Sequence, residues 1–168
     1  AGSRVVRPPI EGLGAPAVAG RVHTSDTIMR IDALPASLVI VGGGFVAAEF
    51  AHVFSSLGSR VTIVIRGGTM LSHCDDTVCE RFTDIAGKKW EIRSHRNMIG
   101  AHMQTGEDGS QIVVELDDGS TVHADAVLVA TGRIPNADLL NLESVGVDVE
   151  DGRVVVDEYQ RTTARRIF

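Results

Sequence analysis

Residues 38–49 read Leu-Val-Ile-Val-Gly-Gly-Gly-Phe-Val-Ala-Ala-Glu, an apolar run that ends in three glycines. The four apolar residues predict a short strand buried on both faces, and a helical pattern follows at once. In this G-x-G-x-x-A pattern Gly42 permits a tight turn, Gly44 leaves room for a diphosphate, and Ala47 allows close packing of helix on strand. The helix N-terminus then presents free N–H groups to the phosphates. We therefore predict dinucleotide contacts at Gly42, Gly43, Gly44, Phe45, Val46 and Ala47.

A complete strand-helix-strand unit surrounds the glycines. Apolar residues recur near the helical period at Phe45, Val46, Phe50, Val53, Phe54 and Leu57. Gly58 is placed to end this helix, and residues 61–65 (Val-Thr-Ile-Val-Ile) predict a second strand. The alternative is an ordinary glycine-rich turn in an α/β domain, but the complete unit favours a dinucleotide site.

The residue after the second predicted strand is Arg66, 24 positions beyond Gly42. An acidic residue near this point would accept a hydrogen bond from the ribose 2′-hydroxyl of NAD. A guanidinium instead suits a 2′-phosphate, because it can donate two parallel hydrogen bonds to it. Arg66 therefore predicts NADPH as the cofactor, and a solvated surface arginine is the alternative.

The later segments predict how the domain is completed. A helix is expected over residues 77–86, capped by Asp75 or Asp76, with Val78, Phe82 and Ile85 on its apolar face. Residues 90–93 predict a third parallel strand, and the uniformly apolar residues 126–130 predict a return to the buried sheet.

Three alternating runs lie between those two strands, at residues 98–104, 111–116 and 121–123. Asp/Gly-rich turns at 106–109 and 117–120 separate them, which predicts an antiparallel meander. The fold class is thus α/β: a Rossmann-like three-layer domain with a parallel sheet, helices on one face and a three-stranded meander on the other.

Composition excludes several classes of function. The formal net charge is −6 with no basic block, which argues against nucleic acid or an anionic membrane as partner. No apolar run is long enough to cross a bilayer. Two cysteines fit a reduced, cytoplasmic protein, and six histidines without paired Cys/His spacing predict no metal site.

Residues 131–136 (Thr-Gly-Arg-Ile-Pro-Asn) follow the last predicted strand. Together with the glycine motif, Arg66 and the meander, they resemble the FAD-dependent pyridine nucleotide–disulfide oxidoreductases of the glutathione reductase type. Segments 73–82 and 148–153 are most similar to one branch of low-molecular-weight disulfide reductases. The resemblance implies transfer of electrons from NADPH to FAD, then to a cysteine pair and a small disulfide substrate, in a homodimer. An NADH-linked dihydrolipoamide dehydrogenase type and a non-catalytic nucleotide-binding module remain as alternatives.

The resemblance also predicts the domain organisation. Residues 1–36 are expected to be the tail of a FAD-domain segment and a connector, in which Gly2 and Ser3 would contact FAD. Residues 37–134 would form the NAD(P)H-binding domain, and residues 135–168 a return segment toward the FAD domain. We expect the chain to be a fragment without catalytic residues of its own and without turnover in isolation.

Further residues acquire roles only through the resemblance. Glu49 matches a glutamate near the nicotinamide that pairs with a FAD-domain lysine, and a solvated glutamate is the alternative. Phe45 stands where many relatives have a tyrosine that gates the nicotinamide pocket. Gly132 matches a position near bound nucleotide, while Arg133 is expected either there or in a link between domains.

Two features qualify these expectations. NADPH-dependent relatives commonly carry a second arginine where this chain has Ser72. Discrimination against NADH is therefore expected either to be reduced or to be restored by His73 or Arg60. Cys74 and Cys79 have the spacing of the family's redox pair but follow the second strand of the nucleotide domain. A bridge between them would need Cα atoms within about 7 Å, so buried free thiols are predicted and neither is assigned to a site.

Overall fold

The computed structural model describes residues 2–106 and 109–168. Its strands are β1 (Ser3–Val5), β2 (Val22–Thr24), β3 (Ser37–Val41), β4 (Arg60–Val64), β5 (Glu91–Arg93), β6 (Met98–Gly106), β7 (Gly109–Leu116), β8 (Thr121–Ala124), β9 (Ala126–Val129), β10 (Arg133–Pro135), β11 (Val149–Glu150) and β12 (Arg153–Val154). Its α-helices are α1 (Pro16–Ala19), α2 (Phe45–Ser56) and α3 (Asp76–Ala86), and short 3₁₀ helices lie at Ile28–Arg30, Asn136–Leu139 and Leu142–Val145. These elements form two compact units, residues 7–132 and residues 2–6 with 133–168.

A five-stranded parallel sheet in the order β2-β9-β3-β4-β5 is the centre of the larger unit. Its three middle strands are almost entirely buried, as expected for parallel strands covered on both faces. A separate antiparallel sheet is formed by β6, β7 and β8. The predicted α/β class with a parallel sheet and a three-stranded meander is therefore confirmed.

Alternating side chains of β3 enter two different cores. Leu38 and Ile40 pack in the cluster that contains the buried residues of α2 and α3. Val39 and Val41 pack in the cluster that contains the meander residues. Because successive side chains of a strand point to opposite faces, this division places α2 and α3 on one face of the sheet and the meander, together with α1, on the other.

Helix α2 ends where a glycine can take a left-handed conformation. Gly58 has φ +107°, and its N–H donates to Ser55 O, while Ser59 N–H donates to Phe54 O at 2.9 Å. These two bonds form a Schellman motif, which satisfies carbonyls that the helix leaves without partners. The predicted end of this helix at Gly58 is confirmed.

Asp75 caps the N-terminus of helix α3, as predicted, but the buried face of this helix matches the predicted one only in part. The Asp75 carboxylate accepts a hydrogen bond from Thr77 N–H at 2.9 Å. Cys79 and Ala86 are the buried residues, whereas Val78 and Ile85 are 52% and 46% exposed. Phe82 is half-buried and packs against the core as predicted. The predicted burial of Val78 and Ile85 was wrong, because Cys79 and Ala86 face the core instead.

Loss of this cap has an expected cost. Asp75→Ala should lower the free energy of unfolding by about 1 kcal/mol, since it removes the acceptor for an N-terminal N–H group of α3. Asp75→Asn keeps a good capping oxygen and serves as the control. Urea denaturation of both variants measures the effect; an equal loss in both would show that the charge, not the cap, stabilises the helix.

The meander covers the face of the sheet opposite α2 and α3. Antiparallel pairing runs from Met98 opposite Leu116 to Gly106 opposite Gly109, with an irregularity between Met98 and Gly100, and β8 then pairs with β7. The runs predicted as strands are confirmed. The predicted turn at 106–109 includes residues 107 and 108, which lie outside the described residues, as does residue 1.

Residues 7–36 contain regular structure that the sequence did not predict. Helix α1 precedes β2, which pairs with β9 as the edge strand of the parallel sheet. Ala101 N–H donates to Glu11 O at 2.9 Å, so this segment also contacts the meander. Burial lowers the pKa of His23 in β2. The compact unit therefore begins at residue 7, whereas residue 37 is the predicted start of the nucleotide domain.

The smaller unit is built on antiparallel pairing of β1 with β10. Arg4 donates two hydrogen bonds to the Asp138 carboxylate, at 2.9 and 2.7 Å, and these bonds hold the pKa of Asp138 below its usual range. A second short pair joins β11 and β12. Residues 2–5 thus associate with residues 133–138 within this unit.

Candidate functional site

The carboxyl ends of β3, β9 and β4 meet at one edge of the parallel sheet. Gly42 follows β3, Arg66 lies two residues beyond β4, and Gly132 lies three residues beyond β9. From β3 the chain crosses through α2 to β4 on one side, whereas β9 lies on the other side of β3. Ligands of open α/β sheets bind at such a change of direction, outside the carboxyl ends of the strands.

Gly42 is held between two neighbouring strands. Its φ is +126°, and a Cβ built on it would lie 2.8 Å from the carbonyl carbon of Ala130 and closer still to the oxygen. Its N–H donates to Val64 O at 2.9 Å. The first glycine is therefore required both by its backbone conformation and by the close approach of β9.

Gly43 packs against the segment that follows β4. A Cβ here would lie 2.7 Å from Cγ2 of Ile65. The Gly43 carbonyl accepts a hydrogen bond from Leu71 N–H at 2.6 Å. Because Gly43 has no side chain, the turn can pack closely against the loop that carries Arg66.

Gly44 differs from its neighbours because the space beside it is open. It is the N-cap of α2 in an extended conformation, with φ −83° and no side-chain cap. A Cβ built on Gly44 would meet no atom of the described residues within 4 Å. The opening adjoins the first N–H groups of a 12-residue helix, where an anion is favoured.

The remaining predicted residues of α2 are divided between core and surface. Ala47 is fully buried and permits close packing of α2 on the sheet, while Val46 is half-buried. Phe45 is 60% exposed at the start of the helix, and Glu49 is exposed one turn later. Their exposure leaves both side chains available to a ligand or to another domain.

Arg66 is exposed at the beginning of the loop between β4 and α3. Within residues 2–106 and 109–168 its side chain makes no hydrogen bond or ion pair. Its guanidinium is thus available to an anionic ligand at the same edge as Gly44.

The loop that carries Arg66 is fixed by α3. Met70 N–H donates to Thr83 Oγ1 at 2.9 Å, and the Cys79 thiol donates to Leu71 O at 3.0 Å. The Leu71 N–H in turn donates to the Gly43 carbonyl. Bonds of this kind give the loop a defined shape next to the glycine turn.

Of the two residues predicted to substitute for a second arginine, one is excluded by its position. Arg60 is the first residue of β4, and Arg66 follows the last. The two arginines therefore lie at opposite ends of β4. Arg60 cannot replace the second arginine at the 2′-phosphate, so this suggested role was wrong. Ser72 and His73 are exposed in the loop after Arg66.

Gly132 and the predicted FAD-contacting residues lie in different units. Gly132, at the end of the larger unit, has φ +132° and open space around it. In the smaller unit the Gly2 carbonyl accepts a hydrogen bond from Asn136 N–H at 2.9 Å. Arg133 donates to both the hydroxyl and the carbonyl of Ser3, at 2.9 and 2.7 Å.

The two cysteines are free thiols with different environments. Cys79 is buried in α3, and Cys74 is half-buried in the preceding loop. In the part of the chain that the structure describes, no three His, Cys, Asp or Glu side chains form a cluster that could hold a metal ion. No helix among these residues has the length and apolar character needed to cross a membrane.

His95 is a residue at this edge that the sequence did not indicate. It lies two positions beyond β5, and its ring contacts Gly68 in the Arg66 loop. Neither composition nor spacing marks this histidine. Only the parallel register of β4 and β5 brings it beside the loop that carries Arg66.

Sequence comparisons all relate this chain to one family of proteins. The family model described as "Pyridine nucleotide-disulphide oxidoreductase" matches residues 1–168. The chain is 61% identical to mycothione reductase of Mycobacterium tuberculosis, with 100% of the chain and 35% of that protein covered. It is 35% identical to glutathione reductase of Burkholderia cepacia, with 99% of the chain and 35% of that protein covered.

Solved structures show the same likeness. The HOCl-induced flavoprotein disulfide reductase RclA from Escherichia coli superposes with a TM-score of 0.79 at 30% identity, over 97% of this chain and 36% of that one. LpdA from Mycobacterium tuberculosis gives a TM-score of 0.78 at 26% identity, over 97% of this chain and 34% of that one. The chain thus spans about a third of the length of the relatives that it matches.

Proposed function

The chain belongs to the pyridine nucleotide-disulphide oxidoreductase family, and from that premise we propose that it binds NADPH at the carboxyl edge of its parallel sheet. In this proposal it is the pyridine-nucleotide part of an FAD-dependent disulfide reductase. The proposed substrate of the whole enzyme is mycothione, on the strength of 61% identity to a mycothione reductase along the full chain.

The observation that carries the proposal is the open space at Gly44, at the same end of the sheet as an arginine whose side chain has no partner among the described residues. A methyl group would project into that space without touching any described atom, so the turn has room for a diphosphate where it meets the N-terminus of α2. Arg66 makes no side-chain bond among the described residues and begins the loop that contacts Gly43. Anionic groups at two points of one ligand fit these two features.

Each predicted residue has a defined task in this proposal. The N–H groups at the start of α2 hold the diphosphate, and Gly42 and Gly43 shape the turn that presents them. Phe45 stands at the nicotinamide pocket and its ring shields the flavin, Glu49 pairs with a lysine of the FAD domain, and Gly132 borders the nucleotide at the end of β9. When bound, NADPH supplies a hydride for reduction of the flavin, since the cofactors carry the electrons.

The rest of the proposal concerns the intact enzyme. FAD is the second cofactor, and Gly2 and Ser3 belong to a segment that contacts it. The enzyme is a cytoplasmic homodimer with a redox-active cysteine pair outside these residues. Residues 1–36 and 135–168 are proposed as connections to the FAD domain, and residues 37–134 as the NADPH domain.

The role of Arg66 is tested by reversing its charge. Arg66→Glu should weaken NADPH binding by about 50-fold or more, because it removes charge-assisted hydrogen bonds to the 2′-phosphate and adds repulsion. NADH affinity should change by less than about threefold, since NADH carries a hydroxyl at that position. Isothermal titration calorimetry of the full chain with both nucleotides measures the two changes.

Arg60→Glu is the matched control, since it makes the same exchange at the opposite end of β4. This variant should bind both nucleotides as the unaltered chain does. Equal losses of NADPH and NADH affinity in Arg66→Glu would contradict the assignment of Arg66. A preference of the unaltered chain for NADH would instead support the dihydrolipoamide dehydrogenase type.

A further inference from the structure

The segment after β5 is bonded to the loop that carries Arg66. Ile65 N–H donates to Arg93 O, and Arg96 N–H donates back to Ile65 O, both at 3.0 Å. Between these two residues of the segment, His95 N–H donates to Gly67 O, also at 3.0 Å. Three backbone hydrogen bonds therefore fix His95 beside the turn formed by Gly67 and Gly68.

The imidazole of His95 lies directly against Gly68. A Cβ built on Gly68 would lie 3.1 Å from Nε2 and 3.3 Å from Cε1 of the ring. A larger residue at position 68 would thus have to displace the ring. His95 itself has φ +54°, a conformation that histidine, asparagine and aspartate adopt more readily than most other residues.

Arg66 and His95 differ from the other basic residues at this corner of the sheet in having no acidic partner among the described residues. The flanking arginines are paired, Arg93 with Glu91 at 2.6 Å and Arg96 with Asp118. In contrast, neither Arg66 nor His95 has a carboxylate partner among the described residues. These two side chains remain free to bind an anion that approaches the turn.

We propose that His95 is a specificity-determining residue, which donates a hydrogen bond from its ring to the 2′-phosphate of NADPH alongside Arg66. This inference rests on the proposed function, because it assigns the residue to the same nucleotide. Gly67 and Gly68 carry no side chains, so they leave the approach to the imidazole open. Two donors, one from Arg66 and one from His95, favour a phosphate over a hydroxyl, because only the phosphate offers several anionic acceptor oxygens.

The test exchanges His95 for asparagine, a residue that tolerates the same backbone conformation but lacks the imidazole N–H donor. In His95→Asn, the dissociation constant for NADPH should rise about fivefold through loss of a charge-assisted hydrogen bond. The constant for NADH should stay within about twofold, since it lacks the phosphate. Calorimetric titration of the full chain with each nucleotide measures both.

His123→Asn is the matched control, because His123 is exposed on the meander strand β8. It should leave both dissociation constants unchanged. Parallel weakening of NADPH and NADH binding in His95→Asn would mean that His95 only supports the loop, and unchanged NADPH binding would also overturn the inference. If the unaltered chain bound neither nucleotide, the proposed function would fail together with this inference. Failure of His95→Asn alone would leave the role of Arg66 intact.

Discussion

Gly42→Ala is expected to destabilise the larger unit by roughly 3 kcal/mol or more, the largest effect on folding that we predict for a single methyl group here. Two causes combine. The backbone at φ +126° is unfavourable for any residue with a Cβ, and the new methyl would overlap the backbone carbonyl of Ala130. Neither partner can move easily, since both lie where strands of the central sheet end.

The free energy of unfolding of this variant can be measured by urea denaturation of the full chain. Trp90 is the single tryptophan and is buried against the helical face, so its fluorescence reports loss of that packing. Gly132→Ala is the control. Gly132 has a similar φ of +132° but open space where the methyl would go, so only the backbone conformation should cost stability, roughly 1–2 kcal/mol.

Similar losses in the two variants would contradict this interpretation. The collision with Ala130 would then contribute nothing, and Gly42 would be required for its conformation alone. A substantially larger loss in Gly42→Ala would show that close contact between the turn and β9 fixes the residue as glycine.

In contrast to Gly42→Ala, Gly44→Ala is expected to fold normally but to lose nucleotide binding. Its backbone is compatible with alanine, and the methyl would meet no described atom, so the free energy of unfolding should fall by less than about 1 kcal/mol. The methyl would occupy the space proposed for the diphosphate. NADPH and NADH affinity should therefore both fall by about 100-fold, because the helix N-terminus can no longer approach the phosphates.

Calorimetric titration and urea denaturation of the same preparation separate the two effects. Gly20→Ala provides a control, since Gly20 also has open space for a methyl but caps α1, away from the carboxyl edge. That change should leave both nucleotide affinities unaltered. Retention of tight NADPH binding in Gly44→Ala would refute the proposed position of the diphosphate.

The elements that sequence patterns predicted well are those whose signals are local. The run from Leu38 to Val41 is apolar at every position and is followed by glycines, so both the strand and the turn could be identified. Gly58 was identified as the end of α2 for the same reason. The meander turn at 117–120 likewise carries Asp and Gly where the chain reverses.

The misses concern features that depend on distant partners. Strand β2 has three residues, one of them His23, and it becomes a strand only because β9 offers an open edge. The orientation of α3 is set by contacts of Cys79 and Thr83 with the Arg66 loop, and no helical periodicity records these contacts. The position of His95 follows from the pairing of β5 with β4, and single-sequence patterns do not specify such pairing.

The glycine turn is held by its neighbours before any ligand arrives. Val64 and Ala130 adjoin Gly42 on either side, and the Leu71 amide binds the carbonyl of Gly43. A receptor with its donors already oriented loses little conformational freedom on association. We therefore expect the nucleotide to bind to a pre-organised surface, because the conformational entropy of the turn is already lost when the chain folds.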